Sequence, residues 1–282
     1  MKLGIDMGGM SIKMGLVNEE NKIIGRITIP TDLTVPYQTL VERMADAVRQ
    51  MLENAGMTLE QCGGIGIGSP GTIDAKQGVI LYSNNFGWEN VPIVEELKKH
   101  LDTRIEIAND ADAAALGEVC AGAAEGAENA VLLTLGTGVG SGVILDKKIF
   151  RGAMPGGCEL GHLSIRYDGI RCTCGRKGCL EAYASASALL RIAREKAAEH
   201  PESIMNEMCG NDLEQMNGKI PFDAAKAGDE AGMETVKEYE GYLACGIANV
   251  INSFRPEKVI LGGGVAAQKD NLTAPLKDLV KD

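Results

Sequence analysis

Residues 2–17 read KLGIDMGGMSIKMGLV, and residues 130–145 read AVLLTLGTGVGSGVIL. Both are an apolar strand, a glycine-rich turn and a second strand. In the first, residues 2–6 alternate as a buried strand, Gly8 and Gly9 turn the chain, and Ile12, Met14, Leu16 and Val17 return. In the second, residues 131–135 pass through Gly136-Thr137-Gly138-Val139-Gly140 into residues 141–145. A third strand at 259–261 meets Gly262-Gly263-Gly264. Glycine lets a backbone approach a ligand closely and turn its N–H groups toward an anion. None of the three turns has the Gly-Lys-Ser/Thr ending of a P-loop or the Gly-x-Gly-x-x-Gly of a dinucleotide site. In a chain with 36 glycines, one such turn merely punctuates strands. Three, each closing an apolar strand, point to a phosphate-binding cleft.

Working outward, residues 23–29 read as a third strand of a meander. Leu40, Met44, Val48, Met51 and Leu52 recur at helical spacing between Pro36 and Gly56. Residues 64–69 form a short buried strand ending at Pro70-Gly71. Asn90 suits the cap of a helix opened by Pro92, with Ile93, Leu97 and Leu101 on one face. Residues 104–108 are a strand that runs into Asn109-Asp110 and an alanine-rich helix from about Asp112. Long helices are expected at 185–200 and 229–252, with 201–228 polar and irregular. The pattern is α/β, with a small lobe over 1–115 and a larger lobe over 116–282 whose C-terminal unit is short. The two lobes are expected to face a central cleft.

The 282 residues carry a net charge of −11, which argues against a nucleic-acid or membrane surface. Hydrophobic residues are 45% and aromatics 4%, so the core is aliphatic and rich in methionine. No apolar run approaches the roughly 20 residues of a membrane span. The amino terminus enters a strand at once, without the charged and apolar regions of a signal peptide. Free thiols in such a chain imply a reducing cytoplasm.

The run GHLSIRYDGIRCTCGRKGCLEAY holds His162, Cys172, Cys174 and Cys179. Three thiolates and an imidazole make the closed tetrahedral set of a structural zinc site. The spacing Cys-x-Cys-x4-Cys is not a common paired pattern, and no Cys-x-x-Cys supports a redox pair. The other cysteines, Cys62, Cys120, Cys158, Cys209 and Cys245, read as small buried hydrophobes. Glu159 and Glu181 flank the ligands, so a metal that orders this segment also fixes two carboxylates.

Asp110 sits where a strand ends and a helix begins, where a carboxylate can take a proton from a hydroxyl. Asp110 or Asp112 equally suits a helix cap. Asn109, Asp110, Glu159 and Glu181 together are the short, directional acceptors that a polyhydroxylated ligand requires.

These pieces, GIDMGG, GIGIGSPG, NNFGW, NDADAAALGE, LTLGTGVGSGVI, GGCELGH, CTCGRKGCLE and VILGGGV, resemble the ROK family of sugar kinases and sugar-responsive repressors. The likeness spans residues 3–265, and the chain closely resembles the bacterial glucokinase branch. It implies an actin-like, hexokinase-like (ribonuclease H-like) two-lobed fold in which ATP and sugar meet. It implies that Asp110 activates the 6-hydroxyl of glucose or a related hexose for attack on the γ-phosphate. Asn85, Asn109, Glu159, His162 and Glu181 would hold the sugar, with His162 also ligating zinc beside Cys172, Cys174 and Cys179. Gly8, Gly9, Met10 and Ser11, with Gly136, Thr137 and Gly138, would cradle phosphates, and Gly262, Gly263 and Gly264 would border the adenosine. Mg²⁺ would accompany ATP. Met10 stands where many members have threonine, so Ser11 or backbone amides replace that hydroxyl. N-acetylmannosamine or N-acetylglucosamine is the rival substrate, and a sugar-sensing repressor or a non-catalytic sugar-binding protein is the rival class. Related kinases imply a homodimer or homotetramer in the cytoplasm.

Overall fold

The computed structural model describes residues 1–281 and forms two compact units. The first comprises Met1–Glu128 and Gly142–Cys158; the second comprises Asn129–Ser141 and the chain from Glu159 onward.

The first unit is built on a five-stranded sheet. Its strands are β1 (Lys2–Met7), β2 (Ser11–Val17), β3 (Ile23–Pro30), β4 (Ile65–Ser69) and, later in the chain, a strand at Ile105–Asn109. β1 and β2 pair antiparallel in register from Lys2↔Val17 to Met7↔Ile12, as the alternation of apolar residues requires. β1 runs parallel to β4, and β4 runs parallel to the Ile105–Asn109 strand. α1 (Tyr37–Asn54) covers one face, burying Leu40, Val41, Met44, Ala45, Ala47, Val48, Met51 and Leu52. These residues share one stripe of a 3.6-residue period, and they meet Leu3, Ile5, Ile12 and Leu16 in a single core.

β5 (Thr72–Asp74), β6 (Val79–Ser83) and β7 (Trp88–Val91) form a small antiparallel sheet, followed by α2 (Ile93–Lys98). Asn90 lies within β7 at φ 52°, and Pro92 takes the cap position of α2, so Asn90 caps nothing. The strand at Ile105–Asn109 is β8, and α3 (Asp110–Ala121) begins immediately after it. The helix thus starts two residues earlier than the alanine run indicates, because the Asn109 side chain accepts the Ala111 amide. A lobe boundary after residue 115 falls inside α3, and residues 142–158 return to the first unit.

In the second unit β9 (Ala130–Leu135) leads into β10 (Val139–Leu145), so Val139 and Gly140 belong to the strand and the turn is only Gly136–Gly138. β10 crosses into the first unit, where its end pairs with β11 (Lys148–Ile149). Then follow α4 (Glu181–Ala184), α5 (Ala186–Glu199), α6 (Ile204–Met208), α7 (Ile220–Lys226), α8 (Glu230–Phe254), β12 (Lys258–Gly262) and α9 (Asp270–Leu279). β12 runs parallel to β9, pairing Lys258↔Ala130 through Gly262↔Thr134. Residues 201–228 are not irregular: α6, α7 and the segment between them bury Met205, Cys209, Met216, Ile220 and Ala224 against Ala193 and Ala197 of α5. The apolar residues there are too sparse for periodicity to reveal. Among the cysteines outside the metal-type run, Cys62 and Cys209 are buried, Cys158 is half-buried, and Cys120 and Cys245 are exposed. No helix among the described residues is long and apolar enough to cross a membrane.

Glu240 of α8 is buried, its Oε1 makes no hydrogen bond among the described residues, and burial pushes its carboxyl up to about 7. Between the ordinary glutamate value of about 4.3 and that raised value, the folded chain holds a proton that the unfolded chain has released. The unfolded state binds fewer protons there, so stability falls as pH rises through this window. Glu240→Gln should flatten the fall and raise the denaturant midpoint at pH 8 relative to the parent. Equal midpoint differences at pH 5.5 and pH 8 would contradict this.

Candidate active site and metal centre

In the first unit, β1, β4 and β8 are parallel, and their carboxyl ends carry Gly8, Pro70-Gly71 and Asn109-Asp110. Ligands of open α/β sheets bind at such an edge. Asn109 does two jobs at once: its Oδ1 accepts the Ala111 amide at 2.9 Å and its Nδ2 donates to the Gly71 carbonyl at 3.2 Å. The Asp110 carboxylate accepts the same Ala111 amide at 2.9 Å. Asp110 opens to solvent on one side while protein crowds the other. That desolvation raises its carboxyl above the ordinary range, the Ala111 amide opposes the rise, and the charge of Asp6 adds to it. A cavity of about 140 Å³ lies beside Asn109, lined in part by Asp74, Asp112, Arg151 and the Gly156-Gly157 backbone.

The first glycine turn is closed by the Gly8 amide donating to the Ser11 carbonyl at 3.0 Å. Its carbonyls are tied down by Thr31, whose hydroxyl donates to Gly8 O at 2.6 Å and whose amide donates to Met10 O at 3.1 Å. The Gly9 and Met10 amides make no hydrogen bond among the described residues. Met10 is 90% exposed, so its side chain leaves those amides open. Asn85, on the β6–β7 turn, lies beside this turn, with its Nδ2 3.8 Å from where a Cβ on Gly9 would sit.

The second glycine turn repeats this arrangement with other anchors. Gly136 N donates to Gly138 O at 3.0 Å. Gly136 O accepts the Ala186 amide and Thr137 O accepts the Ser187 hydroxyl, each at 2.8 Å. The Thr137 and Gly138 amides are unpaired among the described residues. Gly263, at φ 82°, abuts the turn's base: a Cβ there would lie 2.6 Å from the Leu135 carbonyl oxygen. The turn at 136–138 and the Gly262–Gly264 run therefore occupy one edge of the β9–β12 pair.

Glu159, Leu160, Gly161 and His162 form a single tight turn over β10. Leu160 N donates to Ser141 Oγ at 2.9 Å, and a Cβ on Gly161 would overlap the Val139 carbonyl. Only glycine fits there. Glu181 reaches the same residue from α4, its Oε2 accepting the Val139 amide at 3.0 Å. Its Oε1 accepts the Thr173 hydroxyl at 3.1 Å and lies 3.4 Å from Cys172 Sγ. Val139 is thus the point where the glycine turn, the Glu159–His162 turn and the cysteine run meet.

His162, Cys172, Cys174 and Cys179 bring their four ligand atoms within 4.8 Å of one another. His162 Nδ1 is 3.7 Å from Cys172 Sγ, and Cys174 Sγ is 3.6 Å from Cys179 Sγ. Tetrahedral zinc with thiolates at about 2.3 Å requires ligand atoms about 3.8 Å apart, which is this spacing. The backbone is set for it: Gly175 and Gly178 have φ of 89° and 78°, and Cys172 N donates to Arg176 O at 2.8 Å. Burial, followed by the neighbouring thiols, pushes Cys179 up to about 12, whereas the Arg176 amide draws Cys174 down. A cation among these sulfurs would favour the thiolates. The residues fit such a metal.

Sequence reasoning passed over Asp6 as a site residue, although it stands in the quoted GIDMGG run and pairs in register with Gly68. It also missed Thr31, Ala186 and Ser187, whose anchoring of the turns has no local signature.

A mixed α/β protein with two carbonyl-anchored glycine turns and a Cys₃His cluster is the class that the fold and the site define. The family profile described as "ROK family" matches residues 2–282, and the chain belongs to the ROK family. It is similar to the glucokinase of Thermotoga maritima, with 37% identity over 281 residues, covering 99% of this chain and 87% of that protein. It is similar to the glucokinase of Halalkalibacterium halodurans at 36% identity, covering 98% of this chain and 83% of that protein. Its structure resembles that of a ROK family glucokinase from Streptomyces griseus in complex with glucose and AMPPNP. That likeness has a TM-score of 0.77 at 31% identity, over 99% of this chain and 88% of that chain. The architecture is accordingly the hexokinase-like α/β fold of the ROK sugar kinases.

Cys174→Ser should weaken divalent-metal binding at least about tenfold and lower the melting temperature, because one of four ligands is lost. Metal analysis after dialysis checks this; a full equivalent of metal in the mutant would rule out Cys174 as a ligand.

Proposed function

We infer that this chain is an ATP-dependent sugar kinase that transfers the γ-phosphate to the 6-hydroxyl of glucose. The observation that carries the reading is the pair of glycine turns with unpaired amides in a chain that also holds Asp110 at a strand end. Phosphoryl transfer leaves a protein little covalent work; it needs positioned phosphates and a base for the attacking hydroxyl. The similarity to glucokinases over nearly the whole chain supports glucose as the acceptor.

In this reading Asp110 takes the proton as the sugar oxygen bonds to the γ-phosphorus and the bond to the ADP oxygen breaks. Amides of Gly9 and Met10, and of Thr137 and Gly138, hold phosphate oxygens, with Ser11 beside the first turn. Gly262–Gly264 border the adenosine. Asn85, Asn109, Glu159, His162 and Glu181 hold sugar hydroxyls, where a missing partner leaves a buried acceptor unsatisfied and so discriminates between sugars. His162, Cys172, Cys174 and Cys179 would hold a zinc ion, which would keep the Glu159–Glu181 segment in shape. Mg²⁺ supplies charge neutralisation at the phosphates when ATP is bound. The companion proposals are a cytoplasmic location and a homodimer or homotetramer, the latter read by light scattering.

Asp110→Asn should lower kcat at least about 100-fold while leaving glucose affinity within about threefold, since the base is lost and the packing kept. Near-normal turnover would remove Asp110 as the base. Because desolvation and Asp6 raise its carboxyl, the acid limb of kcat/KM should lie above the ordinary aspartate value of about 3.9. Activity is lost as pH falls through that raised value, and Asp6→Asn should move the limb to lower pH. A limb unmoved by that substitution would contradict the assigned coupling.

A coupled assay across glucose, mannose, fructose, N-acetylmannosamine and N-acetylglucosamine tests the substrate. Glucose should give the highest kcat/KM; a preference for an N-acylated amino sugar would replace glucose, and no turnover on any would leave a binding protein.

A further inference from the structure

Glu181 is assigned to the sugar, yet its carboxylate is already committed to a backbone amide and a side-chain hydroxyl of the second unit. Oε2 accepts the Val139 amide at 3.0 Å, and Oε1 accepts the Thr173 hydroxyl at 3.1 Å. Val139 directly follows the turn whose Thr137 and Gly138 amides are unpaired. The anchors of that turn divide by sign. Its carbonyls at Gly136 and Thr137 are held by donors, Ala186 N and Ser187 Oγ, whereas its far end at Val139 is held by an acceptor. All three anchors come from residues 181–187, one short piece of chain. Gripping carbonyls on one side and the following amide on the other sets the rotation of the peptides between them.

The contact is also close. A Cβ on Gly138 would overlap Oε2 of Glu181, and the three nearest atoms to that position all belong to Glu181. Gly138 has no positive φ to require glycine. The group that most closely obstructs a side chain at 138 is therefore the Glu181 carboxylate.

We propose that Glu181 is a positioning residue for the nucleotide: by holding the Val139 amide it sets the Thr137 and Gly138 amides in the orientation that binds phosphate oxygens. The inference rests on the kinase reading and extends it. Nucleotide affinity depends on a residue otherwise assigned to the carbohydrate, even when no sugar is present. By linkage, a sugar that engages Glu181 and a nucleotide that engages the turn alter each other's affinity by the same factor.

The test is ADP binding with Mg²⁺ in the absence of sugar, measured by calorimetry on the metal-loaded chain. Glu181→Ala should weaken ADP at least about tenfold, a coupling typical of linked sites. Glu181→Gln retains an oxygen that can accept the Val139 amide, so it should stay within about threefold of the parent. Gly138→Ala should weaken ADP in the parent, where its methyl meets the carboxylate. In the Glu181→Ala background the same change should have no further effect, because the obstacle is gone, and the non-additivity measures the contact. A Glu181→Ala chain with parental ADP affinity would overturn the proposal, as would equal losses in Glu181→Gln and Glu181→Ala, which would indicate charge rather than position. Gly138→Ala with equal effects in both backgrounds would overturn it too. Metal content and melting temperature, recorded on each variant, identify any that is misfolded; the Gln variant and the double variant then decide. Failure of the unsubstituted chain to bind ADP would overturn the kinase reading itself, and this inference with it.

Discussion

A backbone amide can bind a phosphate only if the fold has not already given it an acceptor, and two turns of this chain meet that condition. In each, the fold satisfies the carbonyls instead. Thr31 takes Gly8 O and Met10 O, while Ala186 and Ser187 take Gly136 O and Thr137 O. The turns are rigid from behind and open in front. Glycine at 8 and 138 is needed less for unusual dihedrals than for the absence of side chains where the Ser11 carbonyl and the Glu181 carboxylate approach. Gly138, with Glu181 against it, illustrates this best.

The same economy of space assembles the metal-bearing segment. Gly161 admits the Val139 carbonyl, and Gly178 admits the Arg166 carbonyl, so the Glu159–His162 turn and the cysteine run press onto β10 and onto each other. Tyr183, buried beneath, accepts the Ile170 amide at 2.6 Å and packs at a tilt against Tyr242 of α8, with ring centroids 4.7 Å apart. The cluster of His162, Cys172, Cys174 and Cys179 is thus one corner of a network. A metal there would tighten contacts that backbone and side-chain hydrogen bonds already direct.

Much of this was legible in the residues. Strands such as 2–7 and 130–135 announce themselves by apolar runs cut by glycine, and α1 by its strict helical stripe. The ligand set was legible because thiols and imidazole at close spacing have few other uses. Three kinds of feature were not. The α6–α7 region hides its helices because a few methionines and alanines suffice to fill a small satellite core. The exposure of Cys120 depends on which face of α3 turns outward, which an alanine-rich helix does not encode. The anchors Thr31, Ala186 and Ser187 lie far in sequence from the turns they hold, so only the fold brings them together. Glu181 was legible as a site residue, but its bond to Val139 was not, since nothing local links positions 42 apart.

We propose that the open amides of the two turns receive a nucleotide's phosphates. Amide-resolved nuclear magnetic resonance of the nitrogen-15 labelled chain, titrated with Mg²⁺ and ADP, reads this directly. The account predicts saturable shifts at the Gly9, Met10, Thr137 and Gly138 amides with a common dissociation constant. Saturable binding that leaves these four amides unmoved while others shift would contradict it.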